Sequence, residues 1–231
     1  VMRHDPQNPH WPDRDRFILS KGHAAPALYA VLGACGYFPR EWMLTLRKLD
    51  SPLEGHPNMR KLAGVEASTG SLGQGPSLAI GHALAARLDG KDYRTYVMIG
   101  DGESDEGQIW EAVMTAAKYK LNNLVCIVDR NGFQQNDATA RIMPALEPLA
   151  EKWRAFGWHV VEIDGHDLAQ VLTTFAQLKS VRDQPQVIIA HTVKGQGVSY
   201  LANDTGHAHF HGVPLTKEQA AVALKEIDEG I

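Results

Sequence analysis

The chain has 231 residues, of which 44% are hydrophobic and 22% charged, and its formal net charge is −4 at pH 7. This composition is typical of a globular domain with a hydrophobic core, and the chain lacks the net positive charge that would attract nucleic acid. No apolar run approaches the roughly 20 residues of a membrane helix, so we expect no membrane association. Cys35 and Cys126 lie in apolar runs. We expect both to be buried free thiols, which favours a cytoplasmic location.

Apolar patterns predict alternating helices and strands. In chain order these are helices at 24–34, 39–49 and 74–89, a strand at 94–99, a helix at 106–121, a strand at 123–128, a helix at 145–157, a strand at 159–164, a helix at 167–181, a strand at 186–193 and a helix at 216–228. The strands contain continuous valine and isoleucine runs, which are typical of parallel strands buried on both faces. The pattern therefore predicts an α/β fold, with a doubly wound, mostly parallel sheet and helices on both faces.

Two successive predicted strands each end in an oxygen-bearing side chain beside glycine. Asp101 lies in the segment GDGESDEG, and Asn131 lies in VCIVDRNG. Ligands of a doubly wound sheet bind at the carboxyl ends of strands, so we expect both side chains to lie at the binding site. Carboxylate and amide oxygens suit a hard cation such as Mg²⁺, which takes further ligands from phosphate. Gly100 and Gly102 allow the backbone to approach a ligand closely.

The spacing alone leaves simpler interpretations of this pair open. Asp101 is also suited to cap the helix that follows it, and Asn131 is suited to make a turn. A dinucleotide-binding fingerprint is disfavoured, because the last glycine of GDGESDEG, Gly107, does not stand where G-x-G-x-x-G requires it.

Six motifs in the same order resemble the transketolase family of thiamine diphosphate enzymes. They are FILSKGHAAPALYAVL, EGHPN, GVEASTGSLGQG, GDGESDEGQIWEA, DRNGFQQNDAT and HGVPL, within roughly residues 14–215. The resemblance implies the thiamine diphosphate-binding fold, with residues 1–231 as one diphosphate-binding domain. It also implies that an N-terminal element with a further histidine is missing before residue 1. The pyrimidine-binding and C-terminal domains are expected on a separate chain, in an α₂β₂ heterotetramer.

The resemblance further implies a metal site and a cofactor site. Asp101, Asn131 and the carbonyl of Phe133 are expected to bind Mg²⁺, or Ca²⁺ or Mn²⁺ in its place. The residues expected to bind thiamine diphosphate are His23, Gly70, Ser71, Leu72, Gly102, Glu103, Asn131, Gln135, Lys194 and His211.

Catalytic roles are implied for three histidines and one glutamate, which are His23, His56, His211 and Glu106. Imidazole titrates near pH ~6.5 and therefore donates or accepts protons at neutral pH. Glu106 matches a glutamate near the subunit interface of the family. The segment GHAHFHG also contains His207 and His209, and a register in which His209 takes a role stays open, although HGVP favours His211.

The implied reaction moves a two-carbon ketol unit from a ketose, phosphorylated or otherwise anionic, to an aldose. The glutamate that activates the cofactor is expected on the partner subunit, so this chain is expected to be inactive alone. The alternatives are the α subunit of a 2-oxoacid dehydrogenase, a deoxyxylulose phosphate synthase and a non-catalytic regulatory half. The segments SKGH, EGHP and GSLGQG argue against the first, and the spacing to HGVP fits the second poorly. The intact Asp101, Asn131 and histidines argue against the third.

Overall fold

The computed structural model describes residues 1–135, 137–202 and 209–230. The strands are β1 (Arg16–Leu19), β2 (Thr95–Gly100), β3 (Leu124–Arg130), β4 (Phe133–Gln134), β5 (Asp137–Ala138), β6 (His159–Asp164) and β7 (Gln186–His191). The α-helices are α1 (Ala25–Ala34), α2 (Gln74–Leu88), α3 (Gly107–Lys118), α4 (Thr139–Ile142), α5 (Leu149–Ala155), α6 (Leu168–Leu178), α7 (Ser199–Ala202) and α8 (Lys217–Glu229). Short 3₁₀ helices lie at Gly22–Ala24, Arg40–Thr45, Gly102–Asp105, Pro144–Leu146 and His209–His211.

Five parallel strands form the main sheet, in the order β1-β2-β3-β7-β6. The chain adds β1, β2 and β3 in sequence, then crosses to the far edge at β6 and returns to place β7 beside β3. The order of strands therefore reverses next to β3, which is where ligands bind in doubly wound sheets. Strands β4 and β5 form a separate antiparallel hairpin directly after β3.

Both faces of the sheet are covered. One core contains Val97 and Ile99 of β2, packed with residues of α2, α3 and α5 such as Trp153. The other contains Tyr96 of β2, packed with residues of α6 such as Leu178. Neighbouring residues of one strand thus enter opposite cores, because side chains alternate across a strand. The predicted α/β fold with a parallel sheet and helices on both faces is confirmed.

Several local predictions were wrong in detail. The segment 39–49 forms only the short 3₁₀ helix Arg40–Thr45, in which no residue is buried, so packing does not stabilise a longer helix. The predicted helix 145–157 begins later, at Leu149, because the residue before Pro148 is disfavoured in helical conformation. Cys126 is buried as expected, whereas Cys35 is exposed, and both thiols are free.

No helix within the described ranges has the length and apolar character of a membrane span.

Trp153 gives a direct test of the larger core. It is fully buried and contacts the rings of Trp110 and Trp158. Trp153→Ala should lower the free energy of unfolding by about 3–5 kcal/mol, because it removes buried apolar surface and leaves a cavity. Urea unfolding measures this change. Leu88→Ala is the control, since Leu88 is 87% exposed and its truncation should change stability by less than about 0.5 kcal/mol. An equal loss in both variants would contradict this description of the core.

Candidate active site

A cavity of about 460 Å³ lies at the carboxyl ends of β2 and β3. Its lining includes His23, Leu72, Asp101, Gly102, Glu103, Glu106, Asn131, Phe133, Gln135, Lys194 and His211. It also includes Lys21, Gly100, Asp105, Gln134 and Ile142, which lie outside the predicted set of cofactor, metal and catalytic residues. The cavity therefore collects every predicted site residue except His56, Gly70 and Ser71.

Asp101 lines the cavity and is only 2% exposed. Its Oδ2 accepts hydrogen bonds from the amide of Gly132 at 2.7 Å and from Thr139 Oγ1 at 3.4 Å. Burial is the largest influence on its carboxyl group and raises the pKa to about 6. The side chain makes no capping bond to the helix that follows, so the interpretation of Asp101 as a simple helix cap is wrong. A buried carboxylate with this environment is suited to a cation.

Asn131 lies beside Asp101 because β2 and β3 are paired in parallel, with Gly100 opposite Asp129. Its Oδ1 accepts from the amide of Phe133 at 2.9 Å, so the turn predicted for Asn131 is present. The turn brings the start of β4 into the cavity wall. In the described part of the chain, no three His, Cys, Asp or Glu side chains form a metal cluster. The residues present nevertheless fit Mg²⁺, because a carboxylate, an amide oxygen and a backbone carbonyl are all hard oxygen donors.

Glu103 connects the Asp101 end of the cavity to the loop before α2. The side chain is 3% exposed, and its Oε1 accepts from the amide of Gly73 at 2.9 Å and from the hydroxyl of Ser20. Ser20 Oγ in turn accepts from the amide of Gly75 at 3.0 Å. The other oxygen of Glu103, Oε2, is buried without a hydrogen-bond partner among the described residues, and burial raises the pKa of this carboxyl group. Glu103 therefore fixes the loop that carries Leu72.

The predicted loop residues Gly70 and Ser71 lie just outside the cavity lining. Thr69 Oγ1 donates to the carbonyl of Leu19 at 2.6 Å, which joins this loop to β1. Gly22 packs so closely against it that an added Cβ would lie 2.7 Å from the carbonyl of Thr69. Only a residue without a side chain fits at that point.

His23 and His211 are neighbours in the cavity lining, with ring centroids 5.3 Å apart and the rings tilted by 53°. Both side chains are exposed in this chain, and partial desolvation in the cavity, together with the neighbouring positive charges, lowers the pKa of each imidazole. Lys194 Nζ lies 3.0 Å from His211 Nδ1. Because an ammonium group can only donate, Nδ1 is the acceptor and the ring proton is assigned to Nε2. Both rings are therefore suited to act as neutral donors or acceptors at pH 7.

The other two predicted catalytic residues are also exposed. His56 is exposed and packs on Gly70, where an added Cβ would lie 3.0 Å from His56 Cγ. Its backbone carbonyl accepts from the hydroxyl of Tyr29 at 3.1 Å. Glu106 is exposed and borders the cavity at the start of α3. His207 and the side chain of His209 lie outside the described part of the chain.

The predicted set omits one basic side chain that lines the cavity and another that holds the residue before Lys194. Lys21 lines the cavity beside His23, and its place between Ser20 and Gly22 in SKGH was the available signal. His166 Nε2 accepts from the amide of Val193 at 2.8 Å, next to Lys194. No sequence signal marks His166, because the contact joins two separate loops.

Comparison with known proteins defines the family. The family model described as "Transketolase, thiamine diphosphate binding domain" matches residues 1–228. The chain therefore belongs to the transketolase family, as its thiamine diphosphate binding domain. The resemblance predicted from the six motifs is confirmed, and the 2-oxoacid dehydrogenase alternative is disfavoured.

Two relatives match over most of this chain and over most of their own length. The chain is 46% identical over 229 residues to the 6-deoxy-6-sulfo-D-fructose transketolase subunit SqwG of Clostridium sp. (strain MSTE9), covering 99% of this chain and 82% of the relative. It is 44% identical over 232 residues to an apulose-4-phosphate transketolase subunit from Phocaeicola vulgatus, covering 100% of this chain and 80% of the relative. The chain is thus one subunit of a thiamine diphosphate-dependent transketolase that is divided between separate chains, and the prediction of a transferase is confirmed.

Larger transketolases contain a region that is similar to this chain. The crystal structure of transketolase from Campylobacter jejuni superimposes with a TM-score of 0.89 at 33% identity, covering 98% of this chain and 36% of that one. Human transketolase is 42% identical over 228 residues, covering 98% of this chain and 35% of the relative. The chain therefore spans only about a third of these proteins.

The contact between α2 and Ser20 can be tested with a matched pair of glycines in that helix. A Cβ added at Gly75 would lie 2.3 Å from Ser20 Oγ, whereas one at Gly81 meets nothing within 4 Å. Gly75→Ala should lower the free energy of unfolding by about 1–3 kcal/mol through overpacking. Gly81→Ala should raise it by about 0.4–1 kcal/mol, because alanine restricts the unfolded chain. Denaturant unfolding measures both, and equal stability of the two variants would refute the close contact.

Proposed function

We propose that this chain binds the Mg²⁺–diphosphate end of thiamine diphosphate and supplies histidines to an active site shared with a partner subunit. The complete enzyme transfers a two-carbon ketol unit from a ketose to an aldose. One observation supports this proposal above all. Asp101 and Asn131 follow the ends of adjacent strands and line the same cavity as His23, Lys194 and His211.

The metal ligands are the side chains of Asp101 and Asn131 and the carbonyl of Phe133. This oxygen set suits Mg²⁺, with Ca²⁺ or Mn²⁺ able to take its place. Gly102 and Gln135 lie beside it in the lining and contact the cofactor, as do Leu72 and the other residues implied by the family resemblance. When bound, thiamine diphosphate supplies the electron sink for breaking and forming the carbon–carbon bond.

The histidines bind and orient the hydroxyl-rich substrate. His23 and His211 lie in the cavity with lowered pKa values, so neutral rings are available to donate a hydrogen bond to a developing alkoxide. The contact from Lys194 to His211 Nδ1 leaves Nε2–H free for this task. His56 acts at the outer end, on a substrate hydroxyl.

The partner is a second transketolase subunit that carries the pyrimidine-binding domain, the C-terminal domain and the activating glutamate. Residues 1–231 form the single diphosphate-binding domain, and two copies of each subunit form an α₂β₂ assembly. Two observations support this proposal. The relatives that match over most of their length are named as subunits, and this chain covers only 35% of a one-chain transketolase. Glu106 is exposed at the cavity edge, where it can pair with a group of the partner. We place the enzyme in the cytoplasm, because both cysteines are free.

The substrate is an anionic sugar. The relatives described above are named for 6-deoxy-6-sulfo-D-fructose and apulose-4-phosphate, which carry a sulfonate and a phosphate group. We infer that this chain's enzyme takes a ketose of the same charge class.

Asp101→Ala should abolish Mg²⁺-dependent binding of thiamine diphosphate, weakening it by at least about 100-fold, because loss of a metal ligand removes several kcal/mol of binding energy. The measurement is calorimetric titration of the complex with the partner subunit. Asp228→Ala is the control, since Asp228 is exposed on α8. Wild-type affinity in Asp101→Ala would refute the metal assignment. If the wild-type complex itself gained no thermal stability from the cofactor and Mg²⁺, the regulatory alternative would be favoured.

His211→Ala should lower kcat by about 10²–10⁴-fold, the range of one acid–base group, with a smaller effect on cofactor affinity. Steady-state kinetics together with cofactor titration separates the two effects. His159→Ala is the matched control, because His159 begins β6 at the opposite end of the sheet and should keep wild-type values. A larger loss of cofactor affinity than of kcat would make His211 a structural residue.

A further inference from the structure

We propose that Lys21 is a further positioning residue of this site, whose ammonium group neutralises Asp129 beneath the diphosphate end of the cavity so that an anionic cofactor can bind there. The inference rests on the proposed function. It concerns a lysine outside the predicted set of cofactor, metal and catalytic residues, and its evidence is the arrangement of charged groups at the ends of three strands.

Lys21 reaches across the end of one strand to a carboxylate on the next. It follows β1, and its side chain passes Gly100 at the end of β2, where an added Cβ would lie 3.5 Å from Lys21 Cδ. The ammonium group forms an ion pair with Asp129 of β3. The lysine is 9% exposed and the side chain of Asp129 is 26% exposed, so this ion pair is partly shielded from water, and Lys21 borders the cavity.

A second contact, on the side of β7, holds the carboxylate of Asp129 in place. Its Oδ1 accepts from Thr192 Oγ1 at 2.5 Å, and the amide of Thr192 donates to the carbonyl of Arg130 at 3.2 Å. This carboxylate is thus fixed between β3 and the loop after β7. Asp129 also lies opposite Gly100, the residue that precedes Asp101, in the pairing of β2 with β3. An unpaired charge at Asp129 would therefore act directly on the metal and diphosphate end.

The balance of charge explains why a counter-ion is needed. The described cavity lining contains the carboxylates of Asp101, Glu103, Asp105 and Glu106, and its lysines are Lys21 and Lys194. A fixed carboxylate without its cation would repel a diphosphate, and the low exposure of the site would limit screening by salt. Breaking a partly buried pair such as Lys21–Asp129 from one side is costly mainly because the other charge is left uncompensated.

A double-mutant cycle tests this role in the complex with the partner subunit. Lys21→Met removes the cation, Asp129→Asn removes the anion and keeps an acceptor for Thr192, and the third variant combines them. The readout is the dissociation constant for thiamine diphosphate with saturating Mg²⁺, measured by calorimetry. We expect about tenfold or more weakening in Lys21→Met, wild-type or tighter binding in Asp129→Asn, and recovery to within about threefold of wild type in the double variant. Lys21→Arg should bind like wild type.

Lys91→Met is the matched control. It breaks another lysine–aspartate pair, with Asp13 at 2.7 Å, away from the cavity, and should leave cofactor affinity unchanged. Unfolding midpoints without cofactor separate misfolding from loss of binding, and recovery in the double variant cannot arise from a merely structural loss. If Lys21→Met binds thiamine diphosphate with wild-type affinity, this inference is overturned and the proposed function is not. The same holds if the double variant binds the cofactor as weakly as Lys21→Met. A wild-type complex that does not bind the cofactor overturns the proposed function and this inference with it.

Discussion

The buried carboxylate of Asp101 is the constraint around which the site is organised. A carboxylate that is 2% exposed has lost most of its hydration, and this cost raises its pKa to about 6. The fold compensates only in part, through the amide of Gly132 and the hydroxyl of Thr139. Both donors come from the segment after β3, so the parallel pairing of β2 with β3 sets their position. The remaining electrostatic cost is what a divalent cation would relieve.

The cavity walls are loops, and side-chain hydrogen bonds hold them in place. Glu103 joins the turn after β2 to the loop before α2, and Ser20 joins both to the end of β1. On the other side, Asp129 joins Lys21 to Thr192 after β7. These hydrogen bonds restrict how the loops can be arranged, although Glu103 Oε2 is buried without a partner among the described residues, which leaves part of the cost of burial unmet. Loops tied in this way can present several cofactor contacts at once without reorganising.

The sequence predicted the central strands well because buried parallel strands require continuous valine and isoleucine runs. It did not predict β1, since the four residues of Arg16–Leu19 are too short for a clear pattern. The position of Asp101 and Asn131 followed from topology alone. The hydrogen bonds and ion pair of Glu103 and Lys21 could not be predicted from the sequence, because their partners lie 30 or more residues away along the chain. The glycine, serine and lysine residues of these motifs indicate that a site is present, but they do not show which side chains bond to each other.

Exposure divides the site into two parts with different physical requirements. Asp101 and Glu103 are buried within this one chain, whereas His23, His56 and Glu106 are exposed. The buried carboxylates need hydrogen-bond donors held in fixed positions, and a single folded domain supplies these by itself. The exposed part contains groups that exchange protons or hydrogen bonds with a substrate, and in water such groups lose most of their electrostatic effect. Covering them with a second chain would exclude that water, so association with the partner and assembly of the catalytic environment would be one event.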